Sequence, residues 1–204
     1  MIEHAADNST VPGIVQPTSK VRRPAILPVI VAIVAITLIV GIGLGLAEST
    51  IQSPDTGAAP NFSVTTFDGQ PFQLNAQKGK VVLVNFWASW CDTCPAEVTQ
   101  LNALYDTYKA RGLQVIGITH QNISSDAQAF IQKYAIRYPT APDDGNHAGD
   151  QYHIRQVPET YLIAPDGTIA LAIHNAIDPT NVGQLRAKLD QLLAAPATKA
   201  VTSP

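Results

Sequence analysis

The stretch VLVNFWASWCDTCPAE, residues 82–97, contains the only two cysteines of this 204-residue chain, Cys91 and Cys94. Its first half is a continuous apolar and β-branched run, which predicts a strand buried on both faces. After the cysteines, apolar residues recur at helical spacing from 95 to 111, and Gly112 follows as a stop signal. The sequence therefore places the cysteine pair at the junction between a buried strand and a helix.

The rest of the chain between residues 60 and 194 also alternates between strand and helix patterns. These are two short strands in FSVTTFDGQPFQL (62–74), a buried strand in LQVIGIT (113–119), a helix that Ser124 or Ser125 caps, a hairpin over 160–174, and a last helix with Asp178 as its cap and Pro179 as its first residue. A short strand–helix–strand crossover implies parallel neighbours. Because the hairpin adds antiparallel pairs, we expect an α/β fold whose mixed central sheet of about four or five strands is flanked by helices.

The position of the cysteines at a helix N-terminus predicts redox chemistry. Unpaired backbone N–H groups and the positive end of the helix dipole stabilise a thiolate there. Cysteines in such CxxC settings have pKa values of about 3.5–7.5, compared with about 8.5 for a free thiol. We expect Cys91 to be the exposed nucleophile, at or just before the helix N-terminus. Cys94, about one turn inside, is expected to be the more buried resolving thiol, within bonding distance of Cys91.

A structural disulfide and a metal site are the alternatives for the same two cysteines. A metal site needs further ligands, and no histidine stands at a metal-site spacing from the cysteines; those considered are His120, His147, His153 and His174. We therefore predict no metal and no cofactor. Peroxiredoxin chemistry is disfavoured because the chain has no PxxxTxxC motif.

An apolar segment near the start of the chain predicts a membrane anchor. Residues 24–47 contain no charged side chain and would form a helix of about 36 Å, enough to cross a bilayer core of about 30 Å. Basic residues precede it and Glu48 follows, which places the N-terminus in the cytoplasm and the rest outside. A cleaved signal peptide is the alternative, disfavoured because the apolar run is long and a polar stretch precedes it. Either way, the later part enters an oxidising compartment.

The predicted organisation has five parts. These are a disordered cytoplasmic tail (1–23), a transmembrane anchor (24–47), a linker (48–59), one α/β domain (60–194) and a disordered tail (195–204). The formal net charge of −3 offers no general attraction for nucleic acid, and no basic stripe with interleaved aromatic residues is visible. We therefore expect a single-pass protein of the cell membrane with an extracytoplasmic domain and no nucleic-acid partner.

Together these motifs resemble the thioredoxin superfamily over residues 60–194. More narrowly, they are similar to the membrane-tethered TlpA/ResA/CcmG (DsbE) redoxins. Three features carry this narrower resemblance: the single anchor, Glu97 three residues after Cys94, and VPETYLI at 157–163. The resemblance implies a thioredoxin-like fold in which Pro158 is a cis-proline packed against the cysteines. It also implies that the backbone of Val157 holds the client strand and that Trp90 shapes the surface a client meets.

The resemblance also suggests how protons are handled. Thioredoxin has a buried Asp in the strand before its cysteines, whereas this chain has Asn85, as the tethered redoxins do. Glu97, on the same helical face as Cys94, is therefore the first candidate for the proton acceptor. Glu159 is the second, carried over from the CcmG-like branch. A carboxylate near the sulfurs raises a thiol pKa and favours a reducing couple, and Asp92 acts in the same direction.

We therefore expect a membrane-anchored protein-disulfide oxidoreductase that reduces client disulfides outside the cytoplasm. By resemblance, its client is apocytochrome c during cytochrome c maturation, and a membrane thiol reductant of the DsbD/CcdA type reduces it again. One alternative is a copper-binding chaperone of the Sco type, although that family uses CxxxC where this chain has CxxC. Another is a general disulfide reductase or oxidase without cytochrome clients.

Overall fold

The computed structural model describes residues 28, 30–37 and 53–194. These fall into two compact units, one before and one after residue 50. In the first unit, residues 30–37 are helical. Within the described ranges, no helix is long and apolar enough to cross a membrane. Both predicted tails, residues 48–52 of the predicted linker and most of the predicted anchor lie outside the described residues.

The second unit is built on a five-stranded mixed sheet. Its strands are β3 (Val82–Trp87), β4 (Gln114–Thr119), β5 (Thr140–Pro142), β6 (Glu159–Ile163) and β7 (Ile169–Ile173). In the spatial order β5-β4-β3-β6-β7, strands β3, β4 and β5 are parallel, and β6 and β7 run antiparallel to their neighbours. A separate antiparallel hairpin pairs β1 (Ser63–Thr65) with β2 (Pro71–Gln73). This confirms the predicted α/β fold with a mixed sheet.

Helices cover both faces of this sheet. They are α1 (Cys94–Tyr108), α2 (Ser124–Lys133), α3 (His147–Gln151) and α4 (Val182–Ala194). Side chains of α1 and α4 form one apolar core with alternate residues of β3, β4 and β6, such as Leu83 and Leu162. The residues between them in the strands, such as Phe86 and Tyr161, point to the opposite face and pack with the β1–β2 hairpin and Tyr152. All six residues of β3 are buried, so the strand that leads to the cysteines is the centre of the domain.

The structure differs from the sequence-based elements at the start of three helices. Helix α2 begins at Ser124 with Ile123 at the N-cap position, so neither Ser124 nor Ser125 caps it as predicted. Helix α1 begins at Cys94, so Cys94 is its first residue and not one turn inside. Helix α4 begins at Val182, three residues later than the proline predicted to start it. Asp178 does not cap this helix with its side chain; its Oδ1 accepts the N–H groups of Thr180 at 2.7 Å and Asn181 at 3.2 Å in the preceding turn.

The segment before the domain also differs from its expectation. Residues 53–59 were expected to belong to a linker, but they lie against the sheet. Ile169 donates its N–H to the carbonyl of Gly57 at 2.8 Å, and Ala59 donates to Gly167 at 2.9 Å. These backbone bonds extend the ordered domain several residues upstream of residue 60.

Candidate active site

Cys91 and Cys94 form a disulfide between the end of the β3–α1 loop and the first residue of α1. The S–S distance is 2.10 Å and the Cα atoms are 5.5 Å apart. Cys91 is 6% exposed and Cys94 is 2% exposed. Cys91 is therefore the more accessible of the two, as expected, although most of its surface is also covered.

Three polar groups surround the sulfur of Cys91. The backbone N–H of Cys94 donates to Cys91 Sγ at 3.1 Å. The hydroxyl of Thr93 lies 3.6 Å from the same sulfur, and the carbonyl oxygen of Val157 lies 3.7 Å from it. In the reduced protein, the N–H at the start of the helix would stabilise a thiolate at Cys91.

The Val157 contact brings a distant segment to the disulfide. We call residues 156–159 the Pro158 segment; it leads directly into β6. The peptide bond between Val157 and Pro158 is cis, which is the conformation that the family resemblance implies. Pro158 itself is buried, and Val157 is half-buried. The backbone of Val157 therefore lies beside the sulfur at which exchange would occur.

The residue before Cys91 carries an exposed aromatic side chain. Trp90 is 55% exposed, and its Nε1 donates to the carbonyl of Gln121 at 3.1 Å. The adjacent Ser89 donates from its backbone N–H and its hydroxyl to Asn122 Oδ1, at 2.7 and 2.8 Å. The loop after β4 thus supports the loop that carries the cysteines. The sequence carries no local signal for Gln121 or Asn122, because their role depends on the parallel pairing of β3 with β4.

Glu97 is buried on the α1 side of the sheet. It is 1% exposed, and three donors converge on its Oε1. These are Thr160 Oγ1 at 3.2 Å, Asn85 Nδ2 at 3.3 Å and the backbone N–H of Ile177 at 3.4 Å. None of the three is directed at Oε2, which leaves Oε2 as the oxygen that carries the proton when the carboxyl is neutral.

Burial controls the acidity of this carboxyl. Loss of water around Glu97 raises its pKa to about 7, although the hydrogen bonds from Ile177, Thr160 and Asn85 act in the opposite direction. The group therefore exchanges a proton near neutral pH. Its hydrogen-bond partners within residues 53–194 do not include either sulfur, so its role as the proton acceptor for Cys94 stays a prediction.

Glu159, the second predicted carboxylate, faces the other side of the sheet. It is 2% exposed. Its Oε2 accepts the hydroxyl of Tyr161 at 2.6 Å and Nδ1 of His174 at 2.8 Å, and its Oε1 accepts the hydroxyl of Ser53 at 3.3 Å. Because side chains alternate along β6, Glu159 lies opposite Thr160 and Glu97. The carboxylate is thus hydrogen-bonded to Ser53, Tyr161 and His174, and its roles as second proton acceptor and as a client-binding residue stay predictions.

A metal site was one alternative for the two cysteines, and it needs further ligands beside them. No group of three or more His, Cys, Asp or Glu side chains in residues 28, 30–37 and 53–194 is placed to hold a metal ion. Asp92, between the cysteines, is exposed to solvent.

Fold and site together define a thioredoxin-like protein with a CxxC disulfide. The crystal structure of a DsbE-type thiol:disulfide interchange protein from Chlorobium tepidum superposes with a TM-score of 0.64 at 26% identity, covering 70% of this chain and all of that one. A secreted Mycobacterium tuberculosis disulfide oxidoreductase, homologous to E. coli DsbE, shares the fold with a TM-score of 0.57 at 24% identity, covering 64% of this chain and 96% of that one.

The chain belongs to the AhpC/TSA family, whose model matches residues 56–172, more than half of the sequence. It is similar to the thiol-disulfide oxidoreductase ResA of Bacillus anthracis, with 34% identity over 111 residues. That match covers 54% of this chain and 64% of the relative, just under two thirds of its length. The ResA protein of Bacillus subtilis is 27% identical over 151 residues, covering 74% of this chain and 82% of that protein.

Proposed function

We propose that this chain is a thiol-disulfide oxidoreductase that reduces disulfides of client proteins. The observation that carries the proposal is the Cys91–Cys94 disulfide at the start of α1, where the N–H of Cys94 lies 3.1 Å from Cys91 Sγ. The carbonyl of Val157 lies 3.7 Å from the same sulfur, and Trp90, the residue before Cys91, has an exposed ring. In the reduced protein, a client can therefore contact the Cys91 thiolate, the backbone of Val157 and the apolar ring of Trp90.

The reaction proceeds through two exchange steps. In the reduced protein, the Cys91 thiolate attacks one sulfur of the client disulfide, forms a mixed disulfide and releases the other client sulfur as a thiolate. Cys94 then loses its proton and attacks Cys91 Sγ, which breaks the mixed disulfide and releases the second client thiolate. The client gains two electrons and, on protonation, two protons. The protein ends with the Cys91–Cys94 disulfide.

We assign to Glu97 the role of accepting the proton of Cys94. It follows Cys94 by three residues on the first turn of α1, and burial brings its pKa to about 7. A carboxyl that titrates near neutral pH can accept the proton of a thiol through a short path or a water molecule. When it is ionised, its charge also disfavours a second negative charge at the sulfurs. This effect stabilises the disulfide over the dithiol and supports a reducing role.

The cellular setting is the part of the proposal that rests on the sequence. The apolar run 24–47, preceded by Lys20, Arg22 and Arg23, supports a membrane-anchored protein with its redox domain on the extracytoplasmic side. The resemblance of the cysteine motif and VPETYLI to the tethered redoxins supports an apocytochrome c with a CxxCH site as the client. A membrane thiol reductant of the DsbD/CcdA type would then return Cys91 and Cys94 to the dithiol state.

Trapping of the mixed disulfide tests the reaction. In the Cys94→Ser variant the second exchange step is blocked, so Cys91 should remain bonded to its client, and the adduct should disappear on treatment with dithiothreitol. The matched control is the Cys91→Ser variant, which keeps Cys94 but should form much less adduct because Cys94 is the more buried sulfur. Equal trapping by the two variants would contradict the assigned nucleophile. No trapping by either would contradict the function.

The reduction potential of the purified full chain tests the direction. A value near that of thioredoxin, about −270 mV, supports a reductant, whereas a value near that of DsbA, about −120 mV, would show that the protein is an oxidant.

A further inference from the structure

His174, directly after β7, contacts the Pro158 segment at both of its ends. At one end, the side-chain amide of Gln156 donates to the carbonyl oxygen of His174 at 3.3 Å. At the other end, Nδ1 of His174 lies 2.8 Å from Oε2 of Glu159. The two residues between these contacts are Val157 and Pro158. His174 therefore contacts the Pro158 segment on both sides of Val157, whose carbonyl oxygen lies beside Cys91 Sγ.

The second ring nitrogen of His174 is also paired. Its Nε2 lies 2.5 Å from Oδ1 of Asp55, in the segment before β1. An ionised carboxylate only accepts hydrogen bonds, so both ring nitrogens must carry a proton when Asp55 and Glu159 are charged. The geometry is that of an imidazolium between two carboxylates. Partial burial lowers the pKa of His174, but the bonds to Asp55 and Glu159 outweigh this and raise it above its ordinary value.

Asp55 and Glu159 differ in how strongly they hold the ring of His174. Asp55 is 68% exposed, and its ion pair with His174 is therefore weak because water competes for both groups. Glu159 is 2% exposed, so its bond to His174 is the one that fixes the histidine. The other titratable groups that act on this carboxylate are Tyr161, whose hydroxyl binds the same Oε2, and the buried His120 after β4.

We propose that His174 is a positioning residue for client recognition: through its bond to the buried Glu159 it holds residues 156–159 so that the backbone of Val157 is presented beside Cys91, and Asp55 is a weaker second partner of its ring. The inference rests on the proposed function, because it assumes that a client strand pairs with this backbone. His174 does not touch the sulfurs or the client. Its effect should therefore appear in client binding and not in the exchange chemistry itself.

The first experiment separates binding from chemistry. The reduced full chain is mixed with a synthetic peptide that contains an intramolecular Cys-X-X-Cys-His disulfide, and the limiting rate and half-saturating concentration are measured. For His174→Ala we expect the half-saturating concentration to rise about ten-fold, or 1.4 kcal/mol of binding, with little change in the limiting rate. His174→Asn, whose amide can donate to Glu159 from the position of Nδ1, should recover most of this loss.

Two controls complete this experiment. An aromatic disulfide reagent without a peptide backbone should be reduced equally fast by the wild type and His174→Ala. His147→Ala removes an exposed histidine in helix α3 and should leave the half-saturating concentration for the peptide unchanged. Unchanged peptide saturation in His174→Ala would overturn the positioning role. Failure of the wild type to reduce the peptide would instead count against the proposed function.

A second measurement needs no client. The backbone amide resonance of Val157 in the oxidised full chain reports the position of the segment directly. We expect it to shift in His174→Ala, to return towards the wild-type value in His174→Asn, and to titrate with the His174 ring as pH rises. In Asp55→Asn, an exposed substitution that should not affect folding, the midpoint of that titration should move to lower pH. A Val157 resonance that is the same in all four proteins and independent of pH would overturn the inference.

Discussion

The side-chain amide of Asn85 lies 3.3 Å from Oε1 of Glu97, on the buried α1 side of the sheet. An amide can donate to this carboxyl in either of its protonation states, whereas a second carboxylate could not donate when ionised. Asn85 also donates to Thr160 Oγ1 at 3.0 Å. Glu97 thus keeps its hydrogen bond from Asn85 in both its neutral and its ionised form as it titrates near neutral pH.

Replacing Glu97 with Gln should remove a pH-dependent loss of stability. The pKa of Glu97 is raised from 4.5 to about 7, so the folded state holds its proton at pH values where the unfolded chain has released it. Stability therefore falls as pH rises from about 4.5 to 7, by about 3 kcal/mol in total. Gln can keep the three donors at Oε1 and has no proton to lose. Denaturant unfolding of the oxidised chain should show the free energy of unfolding of Glu97→Gln rising relative to that of the wild type by about 2.5 kcal/mol between pH 5 and pH 8.

The matched control for this measurement is Asp92→Asn, which removes an exposed carboxylate from the same active-site loop. Its free energy of unfolding should change between pH 5 and pH 8 by the same amount as that of the wild type. A constant difference between Glu97→Gln and the wild type across this range would mean that Glu97 does not titrate there.

Replacing Asn85 with Asp should place two carboxyl groups in one buried space. Each disfavours ionisation of the other, which raises both pKa values, so the stability of the folded state is lost as pH rises. We expect a loss of about 3 kcal/mol or more at pH 8 and a smaller loss at pH 5. Asn85→Leu is the uncharged control: it loses only the hydrogen bonds of the amide, so its loss should differ between the two pH values much less than that of Asn85→Asp. Equal losses for Asn85→Asp at the two pH values would contradict this account.

In the reduced protein, Cys91 should be alkylated before Cys94. The N–H of Cys94 is directed at Cys91 Sγ, and Cys91 is the less covered of the two residues. We expect iodoacetamide to modify Cys91 faster than Cys94 by about ten-fold or more at neutral pH. Peptide mass mapping of a time course measures both rates. Faster modification of Cys94 would reverse the assignment of attacking and resolving thiols.

Trp90 should contribute to client binding and little to folding. More than half of its surface is exposed beside Cys91. We expect Trp90→Ala to weaken binding of a disulfide peptide by about 1–2 kcal/mol and to change the free energy of unfolding by less than about 0.5 kcal/mol. Trp90→Phe keeps apolar surface but loses the hydrogen bond to Gln121, and should lie between the wild type and Trp90→Ala. A wild-type affinity in Trp90→Ala would remove this residue from the client surface.

Asn102 should be important for stability alone. It is buried in α1, donates to the carbonyl of Ala135 at 2.9 Å and accepts the N–H of Arg137 at 2.9 Å. Asn102→Ala leaves both backbone groups without these partners and should cost about 2–3 kcal/mol of unfolding free energy. Thr107→Ala, which removes an exposed hydroxyl from the same helix, should cost far less. A similar loss of unfolding free energy in both variants would show that the substitutions destabilise helix α1 itself. The hydrogen bonds from Asn102 to residues 135–137 would then not explain the loss.

The larger elements of this fold could be predicted from the sequence because their patterns are strong. The apolar runs that became β3 and β4 are long enough to identify without tertiary information. Strand β5 has three residues and α3 has five, which is too short for any periodicity to emerge. Both form because tertiary contacts favour them: β5 pairs with β4, and Asp143 accepts the N–H groups of Ala148 and Gly149 in α3.

From spacing alone, the site could be predicted only where its residues are close in sequence, whereas the place of Val157 and Pro158 beside Cys91 came from the family resemblance. The CxxC pair and Glu97 share one loop and one helical turn, so spacing alone brings them together. The partners of Glu97 include Thr160 and Ile177, which are distant in sequence and reach it through β6 and the turn before α4. The contact between Asp55 and His174 spans 119 residues, and no local pattern signals it.

The antiparallel register of β3 and β6 sets Asn85 opposite Thr160 and Phe86 opposite Glu159. A slip of one residue would turn Glu159 towards Glu97 and would take its carboxylate away from His174. Two acids would then share one buried layer, and the histidine would lose its buried counter-charge. A single residue inserted between Glu159 and Thr160 would therefore change the acid–base chemistry on both sides of the sheet at once, without altering any of the residues that perform it.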